Sequence, residues 1–408
     1  MIFNSLVLKK LIFQLVSEVS GWNGRVHYRW NDVKVQPCVL AAHNYQTLLK
    51  EYLTTANNDG SLSQSNIKML QAAVRSGGVE SFSYLLYYLS IDDAKKHSKL
   101  LDSLLIQMSK YGRSELIHYL LKKYGEEKST WDYYGAMVFA PHSGDLGILQ
   151  FFVNLENNKS IVNYSRNINT ACSNVFDTAA SLGRIDMIEY LSENRKQDLG
   201  NSDMFEWTIK SGQLDAFHYL LAKHRDLFDP EGGDYLRTAL LYQQVEITRL
   251  LLQQPECRCP KNLIDLMASY GYLHMVMLLH EVTNTGCTKM AMSKAIEKGY
   301  LDTVKYLHSN RTEGFNTQAM DVSVENKHLE TLKWIHANRT ERCRSNIISH
   351  VFKDGRIDLN ILKLLVRNRY SFPNEVKDWV TNCYGSKIID WLNDDSDITK
   401  TNSFKNFN

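Results

Sequence analysis

The chain of 408 residues is 44% hydrophobic and 23% charged, close to the globular averages of about 45–50% and about 25%, which excludes wholesale disorder and collagen-like or low-complexity designs. Its 47 Lys and Arg against 45 Asp and Glu leave a formal charge of +2, so no broad basic field points to nucleic acid or to a membrane surface. Only 6 prolines and 21 glycines punctuate it, too few for the frequent turns of a β-sandwich or barrel, and helix is favoured throughout.

The opening stretch MIFNSLVLKKLIFQLVSEV is apolar, but Lys9 and Lys10 interrupt it, no basic n-region precedes it and no small-residue cleavage site comes after it. It therefore reads as neither a signal peptide nor a membrane span. Leu8, Leu11, Ile12, Leu15, Val16 and Val19 fall at helical spacing and predict an amphipathic helix. Residues 1–39 are expected to cap the open end of a helical array that begins at residue 40.

From residue 40 onward the chain repeats itself. SLGRIDMIEYL, KSGQLDAFHYLL, SYGYLHMVMLL, EKGYLDTVKYLH and ENKHLETLKWIH share a turn residue, an apolar residue two further on and a helix-spaced apolar run. With the turn residue as marker, the register runs through Gly77, Gly112, Gly144, Gly183, Gly212, Gln243, Gly271, Gly299, Lys327, Gly355 and Gly385, with an earlier copy at Tyr45. Residues 40–393 thus predict about twelve helix–turn–helix units, with a polar insertion at 155–174 and a disordered tail at 394–408. The marker glycine ends the first helix with positive φ, so a different or strained turn is expected at Gln243 and Lys327.

Seven residues before the marker, Leu70, Leu105, Met137, Phe176, Phe205, Leu236, Ile264, Met292, Met320 and Ile348 are all apolar and predict one buried column. Two after it come Val79, Leu146, Ile185, Leu214, Val245, Leu273, Leu301, Leu329 and Ile357, with Ser114 and Lys387 as the breaks. Seven after it lies a bulky column rich in aromatics: Tyr84, Tyr119, Phe151, Tyr190, Tyr219, Tyr306 and Trp334, interspersed with Leu250 and Leu278. Nine before it, Ser103, Asn174, Asp203, Asp234, Asn262 and Asn346 are expected to cap the first helix, each worth about 1 kcal/mol.

The phrases AIEKGYLDTVKYLHSNRTEGF and VSVENKHLETLKWIHANRTERC resemble the AAxxGHLEVVKxLL core of ankyrin repeats, most specifically over residues 175–366, and the chain looks like a divergent ankyrin-repeat protein of the short-repeat type found in large amoebal families. The resemblance implies an all-α solenoid of stacked repeats. The family's TPLH is missing, and the period of 28 in several copies leaves the β-hairpin fingers short or absent. For function, the resemblance implies a non-catalytic scaffold that binds an unidentified protein partner through the concave face and the connectors.

Candidate chemistry is sparse. No GK[ST] phosphate loop, HExxH, GxSxG or kinase-like signature occurs. Cys257 and Cys259 with His274 and His280 make a poor zinc set, because the two histidines lie on nearly opposite helix faces. The sequons at Asn310 and Asn338 occupy equivalent connectors, as repeat duplication explains. Asp177, Glu206, Asp265 and Asp321 share the column six before the marker, on the expected exposed flank of the first helix; with the basic cluster Arg339, Arg342 and Arg344 they are the candidate partner-binding residues. No catalytic residue, metal or cofactor is expected. Seven scattered cysteines imply a reducing compartment rather than a disulfide framework, so the expected location is the cytoplasm or nucleus, and the expected state monomeric. The segment ending in Arg29-Trp30 faintly resembles an F-box without its Leu-Pro start, which gives the alternative reading of a substrate adaptor in ubiquitin ligation.

Overall fold

The computed structural model describes residues 36–55, 62–125, 131–157, 174–200, 202–229, 234–257, 262–283, 286–352 and 357–393. The expected capping helix, the F-box-like segment, Gly355 and the tail 394–408 lie outside the described residues. Among these residues every regular element is helical, with no strand. The chain divides between Arg225 and Asp226 into two compact units, and the described residues of each form six successive helix pairs.

In the first unit the pairs are α1–α2 (Pro37–Ala42, Gln46–Thr55), α3–α4 (Gln64–Ser76, Val79–Tyr88), α5–α6 (Ser98–Lys110, Ser114–Tyr124), α7–α8 (Tyr133–Phe139, Leu146–Asn157), α9–α10 (Val175–Ser181, Ile185–Asn194) and α12–α13 (Met204–Ser211, Leu214–Lys223), with a short α11 (Lys196–Leu199) between the last two. In the second they are α14–α15 (Tyr235–Leu241, Val245–Gln253), α16–α17 (Leu263–Tyr270, Leu273–Val282), α18–α19 (Lys289–Lys298, Leu301–Asn310), α20–α21 (Gln318–Glu325, Leu329–Asn338), α22–α23 (Ile347–Val351, Leu359–Arg367) and α24–α25 (Asn374–Tyr384, Lys387–Asn393). Within each unit first helices pack on first helices and second on second, as in α16, α18, α20 and α22 against one another and α17, α19, α21 and α23 likewise. Within each unit, each pair buries its apolar stripe against its neighbours in two rows.

The pair α18–α19 shows why the sequence folds this way. Thr288 has extended backbone, and its hydroxyl accepts the Met290 N–H at 3.0 Å to start the helix. Ala291, Met292, Ala295 and Ile296 form the buried stripe. Gly299, at φ 75°, then closes the end: its N–H donates to Ile296 and that of Tyr300 to Ala295, at 3.1 and 2.9 Å. The second helix buries Thr303, Val304 and Leu307.

The expected columns are recognisable. All ten residues seven before the marker are buried. Apart from the buried Leu278 and the exposed Ser114 and Lys387, the columns two and seven after it are half-buried, because the second helix meets its neighbours chiefly through the positions four, five and eight after the marker. Gln243 and Lys327 overturn the expectation of a different turn: both keep the left-handed conformation, at φ 57° and 63°, with the same pair of capping bonds as the glycine turns. The first marker is Asn44, at φ 53°, rather than Tyr45, and its helix begins at Pro37, inside the segment assigned to the cap. Gly385 has positive φ with ψ 164° and so makes another kind of turn.

At the insertion, α8 runs to Asn157 and Asn174 opens α9; residues 158–173 lie outside the described ones. Stacking continues across it, α7 on α9 and α8 on α10. A buried ion pair fastens both sides. Arg195 meets Asp198 at 2.6 Å, with side chains 7% and 0% exposed, and donates to Asn157 Oδ1 at 2.7 Å, while the Asn174 amide donates to the Asp198 carbonyl at 2.7 Å.

Candidate functional site

The carboxylate column sits in the first turn of the first helices, where the connector from the next repeat folds across it. Asp177 and Asp321 are 3% and 5% exposed, which corrects the expectation of an exposed flank. Asp177 Oδ1 accepts the Asp203 N–H at 2.7 Å. Asp265 accepts the N–H and the hydroxyl of Thr288, both at 2.8 Å, and Asp321 accepts the N–H and Nε of Arg344 at 3.0 and 2.8 Å. Ser293, in the same column, accepts the Asn316 N–H at 2.8 Å. Glu206, one methylene longer, instead pairs with Lys210 at 2.7 Å on its own helix. The column stitches repeat to repeat. Burial, with Asp203 and Glu206 nearby, pushes the Asp177 carboxyl up to about 7 against the pull of the Asp203 N–H.

The basic cluster is held one residue at a time. Arg339 pairs with Glu341, lies over the Phe315 ring and donates to His308 Nδ1 at 3.3 Å. Arg342 donates to His336 Nδ1 at 3.4 Å, and Arg344 holds Asp321. The two predicted sets therefore meet at Asp321 and Arg344, where the exposed Arg344 covers the buried Asp321, while Asp177, Glu206 and Asp265 are each engaged elsewhere.

Other singled-out residues also serve the helices. The Asn310 and Asn338 amides donate to the carbonyls of Tyr306 and Trp334, both at 2.8 Å, closing the last turn. His280 Nδ1 lies 2.9 Å from the Tyr306 hydroxyl. Cys259 lies outside the described residues, among which no three His, Cys, Asp or Glu come together as a metal set. Burial pushes the Cys287 and Cys343 thiols up to about 11, far from the thiolate form that reactive cysteines need.

Sequence reasoning missed a second surface, at the turns of the second unit. An open groove of about 510 Å³ runs along three successive turns, lined by Gln243, Tyr272, His274, Tyr300, Asp302 and Thr303 among others. Tyr242, Tyr270 and Tyr300 are 52%, 46% and 37% exposed, and Tyr270 stacks on Tyr272 with centroids 5.6 Å apart. The recurrence of tyrosine one residue before or after the marker was the available signal. It also missed how closely the turns stack: a Cβ on Gly271 would lie 2.8 Å from the Tyr300 ring.

No protein-family model and no curated protein matches this chain. No helix among the described residues is long and apolar enough to cross a membrane.

Proposed function

We propose that the chain is a non-catalytic scaffold of divergent ankyrin-like repeats that binds a protein partner. The observation that carries this reading is the use of the recurring polar groups. Asp177, Asp265, Ser293 and Asp321 each bond the neighbouring repeat, so the positions that repeat maintain the stack, and the exposed positions that vary from repeat to repeat remain for recognition.

Two surfaces are offered for contact. One is the row of first helices with its connectors, where Met290 is 49% exposed. The other is the tyrosine-lined turn edge of the second unit, whose side chains combine an apolar body with a hydroxyl and make good anchors. Charge reversal at the carboxylate column would test stacking rather than recognition, because three of its four members bond the next repeat.

Affinity capture with the intact chain, with Met290→Asp and with Tyr270→Ala tests the proposal. A saturable partner at physiological salt, lost with one variant while both keep the parent melting temperature, supports it and selects the surface. A chain that captures no saturable partner refutes it.

A further inference from the structure

We infer that the connector 339–346 of the second unit is an acid-sensitive latch, held shut by a neutral His336 and released when that imidazole takes a second proton. The hydrogen-bond geometry fixes the state of the ring. Arg342 Nη1 lies 3.4 Å from His336 Nδ1, and a guanidinium can only donate, so Nδ1 is an acceptor and the ring's one proton sits on Nε2. Nε2 is shut away from solvent without a hydrogen-bond partner. A second proton therefore enters at Nδ1, which removes the acceptor and sets two cations side by side.

The described elements supply no compensating carboxylate: on α21 itself, Glu330 is taken by Lys333. On α20, Asp321 is taken by Arg344 and Glu325 by His350. On α19, Asp302 faces Lys305 and His308 packs edge-on to Trp334. Helix α23 carries Lys363 and Arg367 and no acidic residue. In the connector, Glu341 is bound to Arg339, and that pair shows the contrast: the arginine beside His308 brings its own counter-ion, whereas the one beside His336 forms no ion pair among the described residues. The remaining titratable neighbour, Tyr370, stands edge-on to His336 with centroids 5.7 Å apart.

Tyr370 makes the ring a latch rather than an isolated core histidine. Its hydroxyl accepts the Cys343 N–H at 2.9 Å, so the residue that packs on His336 also holds the middle of the connector. Burial first, and Arg342 second, bring His336 down to about 4. The folded ring resists a proton that the unfolded ring takes at about 6.5, so the closed state is fully favoured above that pH and loses up to tenfold in its closing equilibrium per unit as pH falls towards 4.

Hydrogen exchange on the intact chain at pH 7.5 and 5.5, corrected for intrinsic rates, tests this together with a titration of ¹³C-labelled histidines. Peptides spanning 334–346 should open about tenfold more readily at pH 5.5, and His336→Gln, which keeps an acceptor that does not titrate, should abolish the difference. An equal acceleration in the variant, or none in the parent, overturns the latch. Should the variant fail to fold, the parent's titration still decides: besides His142, which burial also holds down and which His142→Gln identifies, one further imidazole must stay neutral at pH 5, and its absence overturns the inference.

Discussion

Lys327 offers the sharpest test of how the turns are built. It sits at φ 63°, where an L-residue costs roughly 1–2 kcal/mol, and it does so because its N–H and that of His328 must reach Val324 and Ser323, at 3.1 and 3.0 Å. Lys327→Gly removes that strain but loses about 0.5–1 kcal/mol to the greater freedom of glycine in the unfolded chain, leaving a net gain of about 0.5–1 kcal/mol. For a unit of this size that raises the melting temperature by roughly 1–4 °C. Lys327→Asn, which tolerates the same region, should do at least as well. The reciprocal change, Gly299→Ala, meets the same strain at φ 75° and puts a Cβ 2.5 Å from His328 Nδ1, so it should destabilise by more than about 1 kcal/mol. Calorimetry, with exchange in α20 and α21 to assign the transition, reads both. A Lys327→Gly variant that melts at or below the parent, with Gly299→Ala unchanged, would refute the account of the turn.

The remaining predictions probe the stitches and the insertion. The Asp177 carboxyl, raised to about 7 from about 3.9 in the unfolded chain, gives stability that is complete below that unfolded value and lost as pH rises through 7; Asp177→Asn should therefore flatten the pH dependence of the first unit's melting and stabilise it at pH 8. Asp321→Ala leaves the part-buried Arg344 N–H without its acceptor and should cost about 1–3 kcal/mol in denaturant unfolding of the second unit, whereas Asp321→Asn should retain most of it. Arg195→Ala takes the guanidinium from the fully buried Asp198 and should cost about 3–5 kcal/mol, read in the first unit's transition; an effect near zero would mean the pair does not hold the insertion's ends.

The residues that sequence alone placed well are those whose fate is decided within one hairpin. Leu70 to Ile348, seven before each marker, are buried because helical spacing and a fixed turn dictate the face they present. The capping column shows where such reasoning stops. Asn174 caps its helix because its backbone is extended, at ψ 142°, as are those of three caps outside that column, Ser63, Thr288 and Asp358. Asp203, Asn262 and Asn346 stand at the same position with ψ 39°, 4° and 25°, and Asp234 is left-handed, so their oxygens do not meet the first-turn N–H groups. Ser103 lies inside a longer first helix. Residue type was right and backbone conformation, set by the path of the preceding connector, was not readable.

That same path decides the carboxylates. Asp265 with Thr288, Ser293 with Asn316 and Asp321 with Arg344 are each 23 residues apart, and the pairing of an acceptor with the backbone N–H at that interval was present in the sequence as a period. It went unread because a backbone donor has no side-chain signature: Thr288, Asn316 and Arg344 share nothing but their place. A side chain that recurs at the repeat period while its presumed partner varies in type is therefore better matched to main-chain groups of the next repeat than to a ligand, and that criterion separates Asp265 and Asp321 from the exposed tyrosines, whose position shifts from one side of the marker to the other.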